Sequence, residues 1–213
     1  MNQELIDKTI EKAKEFFKDD SSGHDFWHTL RVYNNAKNIC MFEECDEEIV
    51  CLAALLHDFD DFKLTNSTEE LENATKWLME NDYPLDKIKL VKDAISTVSY
   101  KGKDTKVPNT IEGKIVQDAD RLDAIGAMGI ARCFAYGGKK GREIWNPDEE
   151  YNENMTEEEY KNNEGSSIAH FHEKLLLLKD LMNTTKGKEI AKGRHKFLEE
   201  FLKEFYAEWN GKK

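Results

Sequence analysis

Two short stretches of the chain place imidazoles and carboxylates where a protein core would ordinarily exclude both. In "LLHDFDDF", residues 55–62, His57 and Asp58 directly follow two leucines. In "GHDFWHTLRV", His24 and His28 lie four apart, on one face if a helix begins at Gly23. A third stretch, "IVQDADRLDAIGAMGIA", sets Asp118, Asp120 and Asp123 in an otherwise apolar helix, with Asp120 close to Ala119 and Leu122 on what reads as an inward face. Buried carboxylates are costly unless they are paired or bound to a cation. A histidine of the second predicted helix, the His57–Asp58 pair ending the third and Asp120 on the sixth would therefore converge in a bundle core. Two imidazoles and two carboxylates form a mixed N/O set suited to Mn, Fe, Co, Ni or Zn. Four protein ligands around a six-coordinate ion leave two positions for water and substrate.

Other chemistries fit these strings less well. H-D-F-W-H invites comparison with the zinc-protease pattern H-E-x-x-H, but the shorter Asp25 does not reach where the glutamate base sits, and no third ligand follows at a suitable spacing. A calcium loop through Asp58, Asp60 and Glu69 would put Phe62 and Lys63 where an oxygen ligand and a sharp-turning glycine are required. The "GGKKGR" run at 137–142 has neither the spacing of a P-loop nor a following Ser or Thr. Cys40, Cys45, Cys51 and Cys133 form no C-x-x-C pair and no metal spacing, as reduced and mostly buried thiols would. Asp61 lies one turn after His57 and faces the same way if the helix continues. There it would exchange a proton with a water or a leaving group; the alternative is a solvated residue at a fraying helix end. Asp60 reads as a surface residue, and Trp27, Phe59 and Phe134 as core.

These residues need helices to position them. Only three prolines, at 84, 108 and 147, interrupt long runs of Leu, Ala, Lys and Glu, and no alternating β-branched pattern appears. The fold class is all-α, with helices expected at about 3–18, 25–44, 46–58, 67–82, 85–99, 110–124, 127–136, 166–183 and 187–209. The Gly-, Asn-, Glu- and Lys-rich segment 137–164 reads as a long loop, a mobile lid over the metal pocket, its three glycines giving freedom and its acidic middle facing solvent. At 213 residues the chain is most simply one domain, 1–213. No apolar stretch approaches a membrane span, and the amphipathic N-terminus lacks a signal-peptide core, so a cytoplasmic protein is expected. A formal charge of −12 argues against a nucleic-acid polymer as partner but leaves room for a small phosphate compound held by local Arg and Lys.

The ordered set H…HD…D on an all-helical chain resembles the HD-domain metal-dependent phosphohydrolases. "GHDFWHTLRV", "ALLHDFDDFK", "DADRLDAIGAMGIARCFAYGG" and "SIAHFHEKLLLLKDLMNT" resemble one small bacterial single-domain subgroup, in order, over roughly residues 20–185. The resemblance implies an HD-type helical bundle. It implies as metal ligands His28, His57, Asp58 and Asp120, and as the proton-handling acid Asp61, three beyond the HD aspartate. No histidine occurs between Asp58 and His170, where two-metal branches carry additional ones. One divalent ion is therefore expected, Mn first, with Co, Ni, Fe, Mg or Zn as alternatives. Substrate contacts are expected from Arg31 and Arg121, for which structural salt bridging is the alternative, and from Lys63 and His24. His170 and Lys174, one turn apart in the subgroup's "HFHEKLL", are expected at the pocket wall. His172 and His195 read as surface or packing residues. The implied activity is hydrolysis of a nucleotide, a nucleoside triphosphate to monophosphate and pyrophosphate. The alternatives are a 5'-nucleotidase acting on monophosphates and a ligand-sensing module with little turnover. Oligomeric state is not legible.

Overall fold

The structure is a computed structural model that describes residues 1–18, 25–60 and 71–213. Among these residues the chain is helical: α1 (Gln3–Phe16), α2 (Phe26–Cys40), α3 (Glu47–Leu56), α4 (Glu72–Glu80), α5 (Leu85–Ile95), α6 (Ile111–Asp123), α7 (Gly126–Lys140), α8 (Glu157–Lys161), α9 (Ser167–His170) and α10 (Thr185–Trp209). No extended strand forms among the described residues; one isolated bridge joins Lys101 and Lys103. The chain divides into two compact units, Met1–Tyr100 with Thr105–Asp120, and Lys101–Asp104 with Arg121–Lys213.

In the first unit α3 is the central element. Asp46 caps it, its carboxylate accepting from the backbones of Glu48 and Ile49 at 3.0 and 3.3 Å, and Glu47 and Glu48 favour the positive end of the helix dipole. Every residue from Ile49 to Phe59 is buried. That is why "IVCLAALL" reads as a continuous apolar run, because α1, α2 and α5 all pack on α3. Glu48 fastens the start of α5 to α3, accepting from Tyr83 Oη, just before that helix, at 2.8 Å and from Lys87 Nζ at 3.2 Å. Trp77 Nε1 donates to Thr9 Oγ1 at 3.0 Å and so links α4 to α1. Gln117, fully buried on α6, donates to the carbonyls of Thr97 and Lys106.

In the second unit α10 packs on α7. The helix expected at 127–136 runs on to Lys140, which corrects the start of the predicted loop. Gly137 is buried on the helix face, and a Cβ there would lie 2.2 Å from Ser167 Oγ, so this glycine permits close approach rather than freedom. Gly141, at φ +69°, ends α7 in the left-handed conformation. Beyond it the segment to 164 contains a further helix, α8, started by a capping box of Thr156 and Glu159. The segment is also tied down within its own unit. Ser167 N donates to Glu143 O at 3.0 Å, Ser166 N to Glu149 Oε1 at 2.8 Å, and Lys103 N to Met155 O at 2.9 Å. Arg142 donates to the carbonyl of Asn163. These tethers are not those of a free lid. The helix expected over 166–183 changes its hydrogen-bond spacing twice, passing from α9 into a π turn at Phe171–Leu175 and a 3-10 segment at Leu177–Leu181.

Candidate metal centre

Three helices of the first unit bring the predicted ligands together. Asp25 caps α2, its Oδ1 accepting from the backbone N–H of His28 at 2.8 Å, so the helix carrying His28 starts on a fixed footing. His57 and Asp58 follow the last residue of α3, and Asp120 lies in α6. Asn35, two turns beyond His28, donates from Nδ2 to the carbonyl of Ala119 at 3.2 Å and so ties α2 to the turn that carries Asp120.

The donor atoms converge. His28 Nε2 lies 3.3 Å from His57 Nε2, 3.4 Å from Asp58 Oδ2 and 3.4 Å from Asp120 Oδ1. His57 Nε2 is 3.3 Å from Asp58 Oδ2 and 4.0 Å from Asp120 Oδ1. His28, His57 and Asp58 are buried, and Asp120 is partly open. Ligand bonds of about 2.0–2.2 Å give edges of roughly 3.0–3.5 Å between neighbouring donors, so most of these spacings suit a single divalent ion. The tautomer fits as well. His57 Nδ1 lies 2.8 Å from the carbonyl of Ala54, an acceptor that must receive an N–H, which leaves the Nε2 lone pair turned into the cluster. Among the described residues His28, His57 and Asp120 form the one group of three His, Cys, Asp or Glu donors that all lie within 4.8 Å of one another; Asp58 stands against both histidine nitrogens but is not a fourth member of that group.

Electrostatics explain how two imidazoles and two carboxylates share this space. Burial works to depress the pKa of His57, but the charges of Asp58 and Asp120, with the Ala54 hydrogen bond, outweigh it and push the value up to about 9. The cluster therefore attracts positive charge, which a proton or a metal ion supplies. Burial has the opposite consequence for the thiols, raising Cys51 to about 11 and Cys133 to about 12. Neither is a nucleophile near neutral pH.

Comparison with known proteins decides the family. The HD domain profile matches residues 26–125. YpgQ of Bacillus subtilis is 40% identical over 192 residues, covering 87% of this chain and 84% of YpgQ. A crystal structure described as an HD-superfamily hydrolase, from Bacillus thuringiensis, is 40% identical with a TM-score of 0.77, covering 99% of both chains. The chain belongs to the HD-domain family. It is a metal-dependent phosphohydrolase of that superfamily. A Lactobacillus plantarum structure is 32% identical, with a TM-score of 0.88 over 99% of both chains. The crystal structure of YpgQ in complex with ADP is 34% identical, with a TM-score of 0.76, covering 95% of this chain and 97% of that one.

The remaining predicted residues of this HD-domain protein distribute as follows. His24, Asp61 and Lys63 lie outside the described residues. Arg31 lies in α2, one turn after His28. Arg121 is buried and its guanidinium donates to the carbonyl of Leu181, inside the second unit. His170 and Lys174 come together around one ring: Lys174 Nζ bonds Tyr160 Oη at 3.0 Å, and His170 stacks on the same tyrosine at 6.3 Å. His172 is half-buried against Tyr151 and Tyr206. Asp123 pairs with Arg132 at 2.8 Å. Trp27, read as core, is 62% exposed, because the buried stripe of α2 runs through His28, Val32, Ala36 and Ile39 and leaves the preceding residue off that face. Sequence reasoning missed Asn35 and Asp60. A polar residue two turns from His28 on the same face was a usable signal for Asn35. Nothing local marked Asp60, whose partners lie thirteen residues on.

Proposed function

We propose that His28, His57, Asp58 and Asp120 hold one divalent ion, Mn first, and that the protein hydrolyses a nucleoside triphosphate to the monophosphate and pyrophosphate. The observation that carries this reading is the approach of two Nε2 atoms and two carboxylate oxygens in a largely buried cluster, with measured separations of 3.3–4.0 Å. An ion held by these four residues would supply positive charge to a phosphoryl oxygen and would acidify a water. The chain's own residues do the rest. Ala54 holds the Nδ1 proton of His57, so Nε2 is the nitrogen that would bind the ion once its own proton is displaced. Asp120, with its side chain 27% exposed, is the most open of the four. Asp61 manages the proton, in the role the family resemblance implies. The ADP held by YpgQ, a relative over nearly the whole chain, favours a phosphorylated nucleoside as ligand. The net charge of −12 argues against a nucleic-acid polymer as partner and leaves room for a small phosphate compound.

The test is a panel of nucleoside mono-, di- and triphosphates incubated with Mn-loaded protein, with products resolved by phosphorus NMR. Pyrophosphate and monophosphate from a triphosphate support the proposal. Inorganic phosphate released from monophosphates alone identifies a 5'-nucleotidase, and binding without turnover identifies a sensing module. Elemental analysis finding two ions per chain overturns the single-ion arrangement.

A further inference from the structure

Helix α4 lacks a cap of its own. Its N-cap position is Leu71, a left-handed residue at φ +59° with no side-chain acceptor. The orphan donors of its first turn are satisfied from elsewhere in the chain. Asp60 Oδ1 accepts from the backbone of Asn73 at 2.8 Å, and Asp60 Oδ2 accepts from Ala74 at 3.0 Å. Asn73 Nδ2 donates back to the carbonyl of Phe59 at 3.2 Å. Three hydrogen bonds thus fasten residues 59–60 to residues 73–74.

The same two residues end the turn that carries His57 and Asp58. The α-helical pattern stops at Leu56, and the next backbone bond, Phe59 N to Leu56 O at 3.1 Å, has turn spacing. Where Asp58 points therefore depends on how residues 59 and 60 are held, because two dihedrals on either side of it set the direction of its Cβ. Phe59 is fixed by stacking on Phe16 at 4.6 Å and edge-on against Phe17 at 5.5 Å. Asp60 is fixed by α4. The Asp58 carboxylate must reach a point 3.4 Å from one histidine nitrogen and 3.3 Å from another, which leaves little tolerance for a loose turn.

We propose that Asp60 is a positioning residue of the metal centre, holding the His57–Asp58 turn in its ligating geometry through α4. This rests on the reading of His28, His57, Asp58 and Asp120 as ligands. Supporting groups around a metal site typically change affinity by about 10–100-fold when lost. Removing both acceptor oxygens should produce an effect of that size, and keeping one should produce less.

The experiment titrates Mn into EDTA-stripped protein, following free ion by electron paramagnetic resonance, with the melting temperature of each stripped variant measured alongside. Asp60→Ala should weaken Mn binding by about 10–100-fold, and Asp60→Asn, which keeps one acceptor, should fall between it and wild type. Ala74→Gly weakens α4 by helix propensity while keeping the N–H that Asp60 accepts from, so it should lower the melting temperature and leave Mn affinity unchanged. If Asp60→Ala does not fold, Asp60→Asn carries the comparison. Wild-type Mn affinity in the Asp60 variants, or an equal loss in Ala74→Gly, overturns the positioning role alone. A wild-type protein that takes up no divalent ion overturns the ligand reading, and the positioning role falls with it.

Discussion

The shifted histidine makes metal affinity a steep function of pH. In the metal-free protein His57 holds its proton up to about pH 9, because Asp58 and Asp120 lie beside it in a buried pocket. An ion that takes the Nε2 lone pair must displace that proton. Below pH 9 each unit of acidification should therefore weaken Mn binding about tenfold, roughly 1.4 kcal/mol, for one proton exchanged. Between pH 6.5 and 8.5 the expected change is about 100-fold. Calorimetry of the stripped protein in buffers of different ionisation enthalpy measures both quantities, and about one proton should be released per ion near pH 7.5. Stability of the stripped protein runs the opposite way. A folded value of about 9 against 6.5 for an ordinary histidine is a raised pKa, so the protonated imidazole stabilises the fold fully below pH 6.5 and the contribution is lost as pH rises through 9. Its size is about 3 kcal/mol. A metal affinity that is flat across this window, with no proton released, would refute the charge balance argued for the cluster.

Two further outcomes follow from individual residues. Asp61→Asn should retain the ion yet lower kcat by roughly 10²–10⁴-fold, the usual range for loss of a general acid or base; near-normal turnover would make it a solvated turn residue. Gly137→Ala should cost up to about 2 kcal/mol net, seen as a lower melting temperature, because an overpacking penalty from a Cβ 2.2 Å from Ser167 Oγ on a buried face outweighs the roughly 1 kcal/mol that alanine gains in a helix; a variant as stable as wild type would mean that Ser167 turns aside at little cost.

Helices with one apolar stripe and a local cap were legible. Leu5, Ile6, Thr9 and Ala13 recur at helical spacing behind the Asn2 cap, and α1 forms where that pattern predicts. The end of α7 was not legible, because "GGKK" is loop-like in composition and the reason for Gly137 is a serine thirty residues later. Trp27 failed for a related cause. An aromatic residue next to an inward histidine is itself about 100° around the helix, and composition alone does not tell which of two neighbours faces in.

The same contrast governs the site. His28, His57, Asp58 and Asp120 announce themselves because each is a costly group in an apolar context, and the cost requires a partner that the sequence can be searched for. Asp60 is no less engaged, with both oxygens accepting backbone hydrogen bonds, but it stands among phenylalanine and further aspartates, where a carboxylate needs no special reason. Lys174 and His170 sit between these cases: their spacing marks a shared face, yet the tyrosine they meet, Tyr160, lies in the acidic stretch that composition assigns to solvent. A polar residue is thus readable in proportion to how badly its neighbours in the chain suit it. Groups whose partners lie across a turn, in sequence that would be polar anyway, become visible only once the backbone has brought the two ends together.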